Sequence, residues 1–181
     1  ASFVSRQKLN FIRLMKIFKT KESLSAYLNL LDKKISIGFV PTMGAIHNGH
    51  LKLIETSKKQ CRQTICSIFI NPTQFNNKED YKSYPKKLDE DYIKLQQAKC
   101  DLIYAPEVSD LYKKNETAKK FNFKTLDLLM EGKFRENHFN GVATVIEKLF
   151  QIIKPTKAYF GEKDIQQLQI VKSLVNQINS K

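Results

Sequence analysis

The feature that most constrains this chain is a regular alternation of short apolar segments with longer amphipathic ones. Segments 35–40, 64–70 and 101–104 are rich in β-branched and other apolar residues, and each is followed within two residues by a proline. Segments that are apolar on both faces are typical of buried parallel strands. We predict further strands at 157–160 and, as a short one, at 121–123.

Between the predicted strands, apolar residues recur at three- and four-residue spacing, which predicts helices. The segments with this spacing are 21–31, 51–60, 86–99, 141–153 and 165–178. The alternation predicts an α/β fold, a doubly wound (Rossmann-like) parallel sheet with helices on both faces. Such folds bind ligands at the carboxyl ends of the strands, so we expect the chemistry in the segments that follow them.

The charge and composition of the chain exclude several classes of protein. The net charge is +13, but only four of the 31 basic residues are Arg and the lysines are scattered. We interpret the excess as a solvated surface and expect no nucleic-acid partner. No stretch approaches the roughly 20 apolar residues of a membrane-spanning helix, so no membrane partner is expected. Three cysteines without a Cys-x-x-Cys pair predict a reduced, cytoplasmic protein without a zinc site.

Residues 1–14 contain no acidic residue and include serine and arginine. This composition occurs in transit-like presequences, and it also arises in non-native leaders such as tags. We favour the second interpretation and expect a disordered leader, because Met15 opens a run that reads like a true N-terminus. The nucleotide-binding domain is then predicted to cover residues 15–181.

The most informative segment, residues 41–50, follows the first strongly apolar strand and reads Pro-Thr-Met-Gly-Ala-Ile-His-Asn-Gly-His. Its two glycines let the backbone approach a ligand, and the helix that follows directs free N–H groups at the loop. His47 and His50 are three residues apart, so both imidazoles can donate hydrogen bonds to one phosphate group. Neither a Gly-Lys-Ser/Thr loop nor a Gly-x-Gly-x-x-Gly pattern is present. The alternative is that the two histidines merely cap the helix.

This His-x-Gly-His pattern resembles the signature of the nucleotidylyltransferase superfamily, and segment 40–51 resembles one family in it, the pantothenate synthetases (pantoate–β-alanine ligases). Four further segments are similar to motifs of that family and occur in the same order: 67–75, 80–91, 131–145 and 160–167. The resemblance extends from Met15 to about Ile178. It implies an enzyme that adenylates the carboxylate of (R)-pantoate with ATP and releases pyrophosphate. The amine of β-alanine then displaces AMP, which gives pantothenate.

The resemblance also implies roles for individual residues. The ATP-binding residues would be Met43, Gly44, Ala45, Ile46, His47, Asn48, Gly49, His50, Gly161, Glu162, Lys163 and Asp164. Catalysis would depend on His50, His47 and Lys163, with His50 as the family's assigned acid. Gln74 would contact both pantoate and β-alanine, and Gln167 would contact pantoate. Mg²⁺ would bridge ATP oxygens and needs few protein ligands, for which Asp91 is a candidate.

Each of these roles has a simpler alternative. Gln74 can be an ordinary loop residue, and Asn71-Pro72 only a turn. Lys163 and Asp164 can be a surface pair at the start of a helix, with Asp164 as its N-cap. His138, which follows a loop, is equally compatible with a structural role.

Two departures from the family pattern affect what we expect. The family carries Arg-Pro-Gly-His-Phe where this chain has Arg-Glu-Asn-His-Phe at 135–139. The family also continues into a lid domain with a Ser-Ser-Arg motif, which is absent from this chain. We therefore expect the N-terminal domain of such a ligase. One alternative is a binding module that has no lid and little turnover. The other is a different adenylyl-transferring enzyme of the superfamily. The resemblance further implies a homodimer, with segment 141–153 and the stretch that precedes it in its contact.

Overall fold

A computed structural model of the chain describes residues 15–179. The predicted leader at 1–14 lies outside the described residues. Within residues 15–179, no helix has the length and apolar character needed to span a membrane.

Five parallel strands form the single sheet of the described part, in the order β1-β4-β3-β2-β5. The strands are β1 Lys16–Phe18, β2 Ile37–Thr42, β3 Gln63–Ile68, β4 Leu102–Tyr104 and β5 Lys157–Ala158. At the centre of the sheet, Phe39 of β2 pairs with Ile65 of β3, which pairs with Leu102 of β4. The first described strand, β1, thus lies at one edge of the sheet, and β5 lies at the other.

Helices connect the strands and cover both faces of the sheet. Their bounds are α1 Lys21–Asn29, α2 Asn48–Gln60, α3 Lys78–Ser83, α4 Leu88–Gln97, α5 Val108–Leu111, α6 His138–Ile153 and α7 Ile165–Asn179. One core contains Phe39 and Ile65 and is completed by α1, α6 and α7. A second core contains Val40 and Cys66 and is completed by α2 and α4. Successive strand residues therefore face opposite cores, which confirms the predicted doubly wound α/β fold.

Strand β2 continues through Pro41, whereas the sequence predicted that the proline would end it. Phe39 O accepts a hydrogen bond from Tyr159 N, so residue 39 faces the β5 side of the strand. Pro41, two residues on, faces the same side, but the pairing with β5 stops at Phe39. Because no acceptor lies there, the missing N–H of Pro41 breaks no ladder bond.

The predicted strand at 121–123 is wrong. The segment has no regular secondary structure and lies against α6 rather than along a sheet edge. Phe121 N donates to Asn140 Oδ1, and Phe123 is buried in the core around α6. Three short elements, β1, α3 and α5, were not predicted, because three to six residues carry too little periodicity.

Helix α6 is the most deeply buried helix of the fold. Only Gln151 among its sixteen residues is exposed. The sequence placed a homodimer contact on this helix at 141–153, but the helix packs within its own chain, against α1, α7 and the turn at Pro72–Gln74. This helix therefore leaves little surface for the predicted contact, and the homodimer itself stays a prediction.

Candidate active site

A cleft of about 280 Å³ lies at the carboxyl ends of β2 and β3. Seven of the residues expected to bind substrates line it, namely Met43, Gly44, His47, His50, Gln74, Asp164 and Gln167. Apolar side chains from α6 and the strand ends form much of the rest of its lining, namely Phe69, Val142, Val145, Ile146, Leu149 and Phe160. The tertiary structure thus brings residues from three separate segments, 41–50, 67–75 and 160–167, around one cavity.

The loop after β2 has an unusual backbone. Gly44 and Ala45 are consecutive residues with positive φ, at 86° and 51°. Glycine adopts this left-handed region without strain, whereas an alanine there needs support from the surrounding structure. A Cβ on Gly44 would also lie 2.9 Å from Asp91 Oδ2, which is closer than normal contacts allow.

Helix α4 supplies that support through two side chains one turn apart. The buried carboxylate of Asp91 accepts hydrogen bonds from Ala45 N at 2.9 Å and Ile46 N at 2.6 Å. Lys94 Nζ donates to Ile46 O at 2.7 Å. The backbone N–H groups of Ala45 and Ile46 therefore bond the protein itself, and the side chain of Ile46 lies in the core rather than in the cleft. These two residues contribute to a nucleotide site by fixing the conformation of the loop.

This arrangement bears on the expected magnesium ligand. Both oxygens of Asp91 already accept backbone N–H groups, and the side chain is 1% exposed. Residues 15–179 contain no group of three or more His, Cys, Asp or Glu side chains able to hold a metal ion. Asp91 is therefore buried and bonded to the loop rather than open to a magnesium ion, and its role in this structure is to stabilise the loop.

The two histidines lie together at the start of α2. His47 is the N-cap, and its Nδ1 accepts a hydrogen bond from Gly49 N at 3.1 Å. In its neutral form His47 therefore carries its proton on Nε2. A Cβ on Gly49 would lie 2.9 Å from His47 Cε1, so glycine leaves room for this ring. His47 thus caps the helix, as the alternative to a binding role proposed, while both histidines also line the cleft.

His50 is neutral at physiological pH. Its pKa falls from 6.5 to about 4, first because the ring is buried and second because His47 lies beside it. Its Nδ1 is buried and has no hydrogen-bond partner in the described part of the chain. An unpaired lone pair is less costly there than an unpaired N–H donor, so we assign the proton to Nε2.

Gln74 lies in the 3₁₀ turn Pro72–Gln74 that follows β3, and its amide is held on both sides. Gln74 Oε1 accepts from Asn71 Nδ2 at 3.1 Å, and Gln74 Nε2 lies 2.9 Å from Met43 Sδ. Asn71 is 1% exposed and also lines the cleft. Asn71 was not expected in the site, because an Asn-Pro pair is already explained by a turn.

Two contacts from α6 fix the backbone of this turn. The buried ring of His138 bonds through Nδ1 to Gln74 O at 2.9 Å. Burial lowers the pKa of His138, so the ring is neutral and its Nδ1–H donates to this carbonyl. A Cβ on Gly141 would lie 2.4 Å from Thr73 O, so only glycine lets the turn lie this close to the helix. His138 therefore has a structural role beside the site.

The segment at the start of α7 contributes unevenly to the cleft. Asp164 and Gln167 line it, whereas Gly161, Glu162 and Lys163 are exposed and do not. The intervening Gln166 is buried and points away from the cleft. Its Nε2 donates to Leu126 O and to Leu129 O, each at 2.6 Å, and its Oε1 accepts from Glu131 N at 3.0 Å.

Comparison with known proteins decides the family. The sequence model described as Pantoate-beta-alanine ligase matches residues 16–181. This chain belongs to the pantoate–β-alanine ligase family. A curated pantothenate synthetase from Flavobacterium psychrophilum is 52% identical over 173 residues, which cover 92% of this chain and 61% of that protein. One from Bacteroides fragilis is 44% identical, over 91% of this chain and 58% of that protein.

Solved structures of pantoate–β-alanine ligases share the fold. The crystal structure from Francisella tularensis, complexed with β-γ ATP and β-alanine, has a TM-score of 0.87 and 42% identity, and the match covers 91% of this chain and 63% of that one. The pantothenate synthetase from Thermus thermophilus has a TM-score of 0.84 and 41% identity, covering 91% and 58%. The chain thus spans about three-fifths of the length of the relatives it matches.

The structure also explains how this member of the pantoate–β-alanine ligase family departs from the Arg-Pro-Gly-His-Phe motif. Asn137, where the family carries glycine, is the N-cap of α6 and has φ 59° and ψ −1°. After glycine, asparagine is among the residues that adopt this left-handed conformation most readily. The substitution therefore preserves the backbone that leads into His138.

Proposed function

We propose that this chain supplies the ATP- and pantoate-binding part of a ligase that condenses (R)-pantoate with β-alanine. The products are pantothenate, AMP and pyrophosphate, formed through a pantoyl adenylate. The observation that carries the proposal is the cleft itself, which brings the histidine pair and the oriented amide of Gln74 into one cavity. Membership of the family supports it, as do the β-γ ATP and the β-alanine in the Francisella tularensis complex.

In the first step, a carboxylate oxygen of pantoate attacks the α-phosphorus of ATP, and the bond to the pyrophosphate oxygen breaks. Negative charge grows on the phosphate oxygens as this happens. His47 and His50 would donate hydrogen bonds to those oxygens through Nε2–H. Because the pKa of His50 is about 4, it would act as a neutral donor rather than as an acid.

Pantoate would lie between the polar and the apolar walls of the cleft. The amide of Gln74 would bond its hydroxyl or carboxylate oxygens, with Gln167 contributing from α7. The apolar wall, including Val142 and Phe69, would pack against its branched aliphatic chain. In the second step the amine of β-alanine attacks the acyl carbon, AMP leaves with the bonding electrons, and the amine loses a proton. Gln74 would contact β-alanine during this step.

The nucleotide would extend from the histidines towards the start of α7. Asp164, which lines the cleft, would bond the ribose, and the exposed side chain of the neighbouring Lys163 would approach the phosphates. Magnesium would arrive as part of MgATP and be held mainly by phosphate oxygens and water. We further propose a homodimer located in the cytoplasm.

We also propose that these residues bind substrates but give little turnover without a lid domain of the kind that the resemblance implies. Closure excludes water and aligns the reactants, which supplies several kcal/mol of barrier lowering. Calorimetry of the 181-residue chain with MgATP and with pantoate tests the binding. Pantothenate formation, measured by mass spectrometry with and without a fused family lid domain, tests the turnover.

In the lid-fused enzyme, His50→Ala should slow adenylation by about 10²- to 10³-fold, the usual effect of removing one donor to developing charge. Adenylation within threefold of the parent would remove His50 from the mechanism. Full activity of the 181-residue chain alone would contradict the need for closure, and the absence of both binding signals would contradict the proposed function. Light scattering that gives one chain mass at micromolar concentration would contradict the homodimer.

A further inference from the structure

We propose that Tyr112 is a positioning residue for Gln74: its hydroxyl orients the carboxamide of Asn71, which makes Gln74 present its N–H groups to the cleft. The inference concerns how the cleft recognises a hydroxy acid, and to that extent it rests on the proposed function. Tyr112 lies directly after α5, is 6% exposed and is not among the residues that line the cleft.

The first link is a set of donors that meet at one oxygen. Tyr112 Oη donates to Asn71 Oδ1 at 2.8 Å. Thr73 Oγ1 and Thr73 N donate to the same oxygen, at 3.0 Å and 3.3 Å. If the Asn71 carboxamide turned over, its NH₂ group would face these donors in a buried site. Leaving buried donors unpaired costs about 1–3 kcal/mol each, so the orientation of Asn71 is determined.

The second link passes this orientation to Gln74. Asn71 Nδ2 donates to Gly141 O at 3.0 Å and to Gln74 Oε1 at 3.1 Å. An amide nitrogen only donates, so Gln74 must turn its oxygen towards Asn71. Its Nε2 then faces Met43 Sδ, a weak acceptor on the cleft wall, and remains available for a stronger one. A carboxylate or hydroxyl oxygen of a ligand is such an acceptor.

Tyr112 is itself held in place and stays protonated. Its ring stacks on Phe69 with centroids 6.2 Å apart, and Lys148 Nζ lies 4.8 Å from its centroid. Lys148 is in turn paired with Glu116 at 2.6 Å. Burial raises the pKa of Tyr112 to about 12, so its hydroxyl remains a donor over the whole physiological range.

The relay predicts a selective effect of removing the hydroxyl. Tyr112→Phe leaves the ring packing intact but removes the shortest of the hydrogen bonds to Asn71 Oδ1. Asn71 Oδ1 then keeps only the two longer hydrogen bonds from Thr73, so the orientation of Asn71 and Gln74 is fixed less strongly. Part of the population would present the carbonyl oxygen of Gln74 to the anionic ligand. We expect pantoate, measured by calorimetry, to bind about 5- to 20-fold more weakly, while the affinity for MgATP changes less than twofold.

Tyr104→Phe is the matched control, because Tyr104 is a buried tyrosine whose hydroxyl donates to Asp110 Oδ2 at 2.6 Å, outside the cleft. Tyr104→Phe should leave the affinities for pantoate and for MgATP unchanged. Unchanged pantoate binding in Tyr112→Phe, or an equal loss of pantoate and MgATP binding, would overturn the relay.

A second measurement needs neither a variant nor a ligand. In the nuclear magnetic resonance spectrum of the unmutated chain, the side-chain NH₂ protons of Gln74 should show Overhauser contacts to the Met43 methyl group. Those of Asn71 should show contacts to the Gly141 α protons. If the carboxamides had the reverse orientation, the Gln74 NH₂ protons would contact Asn71 and the Asn71 NH₂ protons would contact Thr73 and Tyr112. That result would overturn the relay even if pantoate binds. If the unmutated chain binds neither pantoate nor MgATP, the proposed function fails while this spectrum still decides the orientation of the amides.

Discussion

The imidazole rings of His47 and His50 are stacked, with centroids 4.0 Å apart and an angle of 29° between their planes. Two protonated rings this close would repel each other, and burial of His50 adds to the cost of charging it. His50 is therefore held neutral, and the two rings can present N–H donors at the start of α2. This geometry suits binding of phosphate oxygens and makes proton donation by His50 near neutral pH unfavourable.

The depressed pKa of His50 predicts a dependence of stability on pH. The unfolded ring protonates near pH 6.5, but the folded ring protonates only near pH 4. Between these values the unfolded state binds more protons, so the free energy of unfolding falls as the pH falls through this range and levels off below it. Because the ring is partly exposed to the cleft, solvent screening limits the loss to about 1–2 kcal/mol.

Urea unfolding at several pH values measures this loss. The free energy of unfolding should fall between neutral pH and a pH near 4, and in His50→Gln this fall should be smaller than in the parent by about 1–2 kcal/mol. His138, whose pKa is also lowered by burial, contributes a loss of the same sign in both proteins. Identical pH profiles for parent and variant would contradict the lowered pKa of His50.

Asp91→Asn should destabilise the fold by about 2–3 kcal/mol, because the new NH₂ group must face the N–H of either Ala45 or Ile46. Chemical denaturation measures the change in the free energy of unfolding. Asp89→Asn is the control, since Asp89 lies in the same first turn of α4 but is exposed. Similar small losses in both variants would mean that Asp91 acts only through the helix dipole.

The left-handed backbone of Asn137 predicts an unusual order of substitutions. Asn137→Gly should leave the free energy of unfolding unchanged or slightly higher, whereas Asn137→Ala should lower it by about 1 kcal/mol. Glu136→Ala, at the exposed neighbouring position, should have little effect. Thermal unfolding of the three variants tests this order. If Asn137→Ala were more stable than Asn137→Gly, the left-handed backbone of residue 137 would be contradicted.

Adjacent residues Gln166 and Gln167 should respond differently to the same change. Gln166→Leu removes three hydrogen bonds to segment 126–131, so the amides there should exchange with deuterium faster. Gln167→Leu should leave that exchange unchanged and weaken pantoate binding. Mass spectrometry and calorimetry measure the two effects. Equal exchange in both variants would show that Gln166 does not hold the segment.

Much of this protein was predictable from its sequence, because the relevant signals are local. Buried strands of a parallel sheet must be apolar on both faces, so the segments at 35–40, 64–70 and 101–104 stand out and predict an α/β fold. The carboxyl ends of such strands meet at one edge, so His50 and Gln74, which follow two of them, were expected to lie near each other. The cleft contains both.

The tertiary structure alone decided which polar groups form hydrogen bonds inside the protein and which face the cleft. Asp91, a candidate metal ligand in the sequence, lies 46 residues from Ala45 and bonds its backbone. Tyr112 bonds Asn71 across 41 residues, and segment 121–123 covers α6 instead of extending the sheet. Such contacts depend on where distant segments meet and leave no periodic trace in the sequence. A hydrogen bond from a side chain to a distant backbone group becomes visible only when the fold brings the two together.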